Sequence, residues 1–190
     1  MLIGFTELIY LVILTLVIAY IFMDWVKIPQ KKPNLFDLYR RRGFDWNSFK
    51  FAALVSAPGI VLHELAHKFT AIYFGLSAAF QIWPFGLGLA LVLKIIRSPF
   101  LIIAPGYVNI IGNPTASQLP IIAFAGPLVN LVLWIVPWII LKKKKNLKKN
   151  YVITLYLTKQ INMILFLFNM IPIPPLDGSK VIYPLIQAIF

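Results

Sequence analysis

Residues Phe51–Phe74 read FAALVSAPGIVLHELAHKFTAIYF, an apolar run interrupted in its second half by His63, Glu64, His67 and Lys68. A helix needs about 20 predominantly apolar residues to cross a bilayer, and this run supplies them. Ionisable side chains within a span are costly to bury and mark a functional site by default. The stretch therefore predicts two things at once: a membrane helix, and chemistry on it.

The rest of the chain agrees with a membrane setting. Of 190 residues, 60% are hydrophobic and the mean hydropathy is +0.83, whereas soluble domains sit near half apolar. Leu2–Met23, Leu119–Leu141 and Tyr151–Ile173 are three more runs of spanning length. The first lacks a basic leading segment and a small-residue cleavage site, so it reads as a retained anchor. The expected fold class is an α-helical polytopic membrane protein with about four transmembrane helices, integral and multi-pass, in the cell membrane.

Net charge is +12, and the positive residues cluster. Seven Lys/Arg lie in 24–50 and six in KKKKNLKKN (Lys142–Asn150). Basic clusters beside membrane spans meet anionic headgroups of the lipid bilayer. No nucleic-acid-binding module accompanies them, so no nucleic-acid partner is expected. The absence of cysteine rules out disulfides and thiolate metal sites.

The segments are expected as follows: an N-terminal transmembrane helix (1–23), a basic loop (24–50) with a short interfacial helix at LFDLYRRR, a core (51–182), and a C-terminal end (183–190). Within the core, helices are expected at about 51–74, 119–141 and 151–173. Between Gly75 and Gly112 an apolar segment is broken by Pro84, Gly86, Gly88, Pro99, Pro105 and Gly106. Short β-branched and aromatic runs between such breakers predict strands, hence a small membrane-embedded β-region at about 76–112. A broken helix over Leu87–Ile96 is the alternative. Non-helical backbone survives at membrane depth only under protein cover or beside water. FAGPLVN (Phe124–Asn130) places a close-packing Gly126 and a buried amide, Asn130, in the third span. NMIPIPPLDG (Asn169–Gly178) ends the fourth: its prolines unwind the helix, leaving Asp177 on flexible backbone.

His63 and His67 are one helical turn apart on one face, which suits two nitrogen ligands on one Zn²⁺. Glu64 projects to the side, where it can reach a water held there. A catalytic zinc takes three protein ligands and keeps one position open. No glutamate follows Glu64, no third histidine exists, and there is no thiolate. The third ligand is then an aspartate or a neutral amide. Asp24, Asp37 and Asp45 sit in the basic loop, so Asp177 is the candidate. The chemistry this allows is metal-assisted hydrolysis with Glu64 as general base. Asn169 and Asn130 are the available amides for a developing oxyanion or a substrate carbonyl. An apolar strand edge can hold a substrate extended.

These motifs resemble the site-2 protease family of intramembrane zinc metalloproteases. HELAH fits its HExxH, NMIPIPPLDG its NxxPxPxLDG, and AGPLVN its small-GPxxN element; the resemblance covers Phe51 to about Ile182. It implies zinc on His63, His67 and Asp177, Glu64 as catalytic base and Asn169 as a catalytic-site residue. Asn130 is expected at the substrate, or else as an amide that joins helix to helix. The resemblance also implies a three-helix protease core beside the N-terminal helix. The implied activity is hydrolysis of a peptide bond within or near the transmembrane segment of a membrane-anchored protein, the expected partner. The end at residue 190 implies that the usual further helix is absent or cut away. The alternative is a non-proteolytic zinc-binding membrane scaffold of the same fold. The family places the active site toward the cytoplasm, which puts the basic loops outside; the positive-inside rule puts them inside.

Overall fold

The computed structural model describes residues 3–26, 44–98 and 106–189. Four helices are long and apolar enough to cross a membrane: α1 (Phe5–Phe22), α2 (Trp46–Tyr73), α4 (Gln118–Lys143) and α5 (Lys149–Asn169). The chain is a polytopic helical membrane protein with a small sheet. Leu8, Val12 and Leu16 on α1 form an exposed apolar stripe at four-residue spacing, as do Leu128, Val132 and Val136 on α4. Such stripes suit lipid.

α2 begins within the segment expected to be loop, because Asp45 caps it: the carboxylate accepts from Asn47 N and Ser48 N. That satisfies orphan donors of the first turn. α1 runs antiparallel to α2. Leu11, Leu14 and Ile18 pack on Ile60 and Phe80, and Met23 and Val26 pack on Ala52 and Val55 at the other end. α4 is also antiparallel to α2, and α5 returns parallel to it, with Ile161 joining the second cluster.

The β-region is partly as expected. β1 (Ser77–Ile82) and β2 (Gly106–Ile111) pair antiparallel, with Phe80 opposite Val108. Between them, however, Pro84–Ile95 forms a helix, α3. Pro84 at the first helical position begins it without loss, since that N–H has no intrahelical partner. The strand expectation thus holds at the two ends, and the helical alternative holds in the middle. The expected interfacial helix at 35–42 lies outside the described residues.

α5 ends at Asn169, as the prolines require. Asp177 is not on loose backbone, though: it opens helix α6 (Asp177–Ile189). Leu176 C=O accepts from both Ser179 N and Ser179 Oγ, which closes the first turn. A Cβ at Gly178 would strike the Met170 carbonyl and come within 2.6 Å of Ile171 O. Glycine therefore lets this turn sit against the end of α5 and fixes where Asp177 points.

Candidate metal centre

The ligand atoms converge. His63 Nε2 and His67 Nε2 are 3.0 Å apart, and Asp177 Oδ2 is 3.1 Å from the first and 3.2 Å from the second. Two ligands on a tetrahedral zinc, each at about 2.0–2.1 Å, stand roughly 3.3 Å from one another. The three atoms thus fit one ion, and among the described residues they form the cluster able to hold it. Asp24 instead pairs with Lys94 at 3.2 Å and Asp45 caps α2, so neither competes; Asp37 lies outside the described residues.

Both imidazoles are held from behind. His63 Nδ1 donates to Asn130 Oδ1 at 2.7 Å, and His67 Nδ1 donates to the Ile122 carbonyl at 2.7 Å. A carbonyl only accepts, so each Nδ1 carries the proton and each Nε2 is bare toward the metal position. Such partners fix ring orientation and ligand basicity.

Asn130 lines the cavity, but its polar atoms are committed elsewhere. It is fully buried, and its two N–H groups are spent on Gly59 O and Asn162 Oδ1, both at 3.0 Å. Asn162 is held in turn by Thr158 O. With no donor free, Asn130 cannot serve a carbonyl in the cavity; it orients His63. Asn169 stays at the cavity wall, with Nδ2 donating to Leu165 O at 3.0 Å, which leaves one N–H. Glu64 is buried, lines the same cavity and makes no hydrogen bond to a described residue.

The cavity measures about 440 Å³, and Trp83, Val108, Leu119 and Leu165 supply part of its apolar wall. β2 lies along this cavity through Gly106, Tyr107, Val108 and Ile110.

Two residues carry more than sequence reasoning assigned them. A Cβ at Gly126 would lie 2.7 Å from His63 Nε2 and closer still to His67 Nε2. This glycine keeps open the space on the metal side of the imidazoles, beyond allowing helices to pack. Lys180 lines the cavity one turn after Asp177; the i+3 spacing was the available signal.

A family model described as peptidase family M50 matches residues 138–190. A Methanocaldococcus jannaschii protein named "Putative zinc metalloprotease" is 37% identical over 144 residues, covering 74% of this chain and 74% of its own length. No solved structure matches the chain.

Proposed function

The chain belongs to peptidase family M50, the site-2 type of membrane zinc metalloprotease, and from that premise we propose that it cuts a peptide bond within or near the transmembrane segment of a membrane-anchored protein. The observation that carries this is the meeting of His63 Nε2, His67 Nε2 and Asp177 Oδ2 in one cavity with Glu64, which makes no hydrogen bond to a described residue. His63, His67 and Asp177 would hold Zn²⁺. When bound, the ion supplies Lewis acidity, polarising the scissile carbonyl and bringing a water's pKa to about 7.

The side chains supply the remainder. Glu64 takes a proton from the attacking water and passes it to the leaving amine. Asn169 offers its remaining N–H to the developing oxyanion. β2 receives the unwound substrate as an added strand, which presents a peptide bond that a helix would hide. This rests on register. Phe80 N–H turns away from β2, to Glu7, so Phe80 and Val108 form the kind of antiparallel pair that is not hydrogen-bonded across the ladder. The main-chain groups of Val108 therefore face outward, on the free edge of the sheet. The anchored substrate is the protein partner, the bilayer surrounds the helices, and the cell membrane is the proposed location.

The test is to purify the full chain, measure bound zinc, and assay cleavage of a membrane-spanning peptide by wild type and Glu64→Gln. Stoichiometric zinc in both, with cleavage by wild type alone, is expected. Equal cleavage by the two would remove Glu64 from the mechanism. Zinc without cleavage of any tested substrate would favour a non-proteolytic scaffold.

A further inference from the structure

The chain has two glutamates, and the proposed mechanism uses one. The other, Glu7 on α1, meets Lys68, the residue that follows His67. Lys68 Nζ donates to both Glu7 oxygens at 2.5 Å, and the lysine is only 1% exposed. The same carboxylate accepts from Gly4 N at 2.7 Å and from Phe80 N, the β1 amide, at 2.7 Å. One side chain thus joins the first turn of α1, the metal-binding helix and the sheet.

A buried ion pair is weak evidence for stability, because desolvation offsets much of the attraction. What distinguishes this one is its third partner. A strand edge is a row of unpaired N–H and C=O groups, open to any extended chain. Phe80 N–H belongs to the outer edge of β1, and Glu7 occupies it. Phe80 itself is buried among Leu11, Leu14, Ile18 and Ile60, so α1 covers this edge with apolar packing as well as charge. The opposite edge, β2, is the one beside the metal position.

We propose that Glu7 is a positioning residue: through Lys68 and the Phe80 amide it anchors the sheet to the metal helix and closes the β1 edge, so that a substrate strand adds only at β2, in register with the site. This rests on the protease function proposed above. Lys68 fixes Glu7 relative to His67, and Glu7 fixes β1. The paired strand β2 is thereby set against the metal at a constant distance.

Two variants on a neutral background separate this from a purely structural role. Glu7→Gln/Lys68→Met removes both charges but leaves a side-chain oxygen to accept Phe80 N–H. Glu7→Leu/Lys68→Met removes that acceptor too. Both are expected to bind zinc stoichiometrically. With a membrane-spanning peptide that wild type cleaves, KM is expected to stay within about threefold for the first and to rise about tenfold for the second, with kcat little changed. Independently of activity, hydrogen exchange at the Phe80 amide is expected to be at least tenfold faster in the second variant. Equal KM values, or equal exchange rates, overturn the proposal. Should the leucine variant not fold, Glu7→Asp takes its place, since one methylene less withdraws the carboxylate from Phe80; unchanged KM and exchange there are equally fatal. Absence of cleavage by wild type would instead count against the protease function, and the exchange comparison would still decide the role of Glu7.

Discussion

At the scale of single residues, the two asparagines expected near the substrate divide by where their donors go. Asn130 spends both N–H groups on Gly59 and Asn162 and gives its oxygen to His63, whereas Asn169 keeps one N–H at the cavity. Removing a partner that orients a metal-bound histidine typically costs 10–100-fold in affinity. Asn130→Ala is therefore expected to weaken zinc binding by about 10–100-fold, read by competition with a chelator. Asn169→Ala should leave zinc affinity unchanged and lower kcat by roughly 10²–10³, the usual cost of an oxyanion donor. A loss of zinc with Asn169→Ala, or its full retention with Asn130→Ala, would reverse the two assignments. His63, Glu64, His67 and Asp177 were legible because the chain contains so few alternatives: counting residue types left one aspartate free. The role of Asn130 was not legible, since a buried amide in a span looks the same whether it faces a substrate or the back of an imidazole. The partnership of Lys68 was hidden for a related reason. Glu7 stands 61 positions away, and no local pattern links them.

At the scale of elements, periodicity and breakers located the four long helices because length and apolarity together admit few other structures in a bilayer. The same signals failed between β1 and β2. Short apolar runs suit strand and helix alike, and the choice fell to Pro84, which starts α3 where it was taken to separate strands. The end of α5 was legible from its prolines, but the start of α6 was not: Gly178 looked like flexibility, and its function is close approach. β2 carries the prediction at this scale. If Val108 N–H faces a substrate strand, then Val108→Pro deletes a donor from the free edge without removing a rung of the β1–β2 ladder, and edge positions tolerate proline. KM for a membrane-spanning peptide should rise about tenfold or more while zinc content and thermal stability stay near wild type, the separation expected when substrate binding is lost and chemistry is not. Wild-type KM in this variant would exclude strand addition at β2.

At the scale of the whole molecule, charge and metal lie toward opposite ends. His67 is six residues before the end of α2, and His63 is seventeen residues after its start. At 1.5 Å per residue this places the site about 9 Å from one helix end and about 26 Å from the other. The far end of α2 bears Asp45 and Trp46, and the α4–α5 hairpin tip, with Lys142–Lys145, Lys148 and Lys149, lies at that same end because α4 is antiparallel to α2 and α5 is parallel to it. Lys142 stacks over Trp138, the pairing of cation and aromatic expected at a headgroup boundary. The basic tip therefore lies at the end of the helices remote from the ligand cluster, which sits near the opposite end. Since the chain has no cysteine, single-cysteine variants report sidedness without further changes. In sealed vesicles of one orientation, Phe44→Cys and Lys145→Cys should react with a membrane-impermeant maleimide from one side, and Thr115→Cys, just before α4, from the other. Reaction of Thr115→Cys and Lys145→Cys from the same side would break the antiparallel arrangement on which the depth of the site depends.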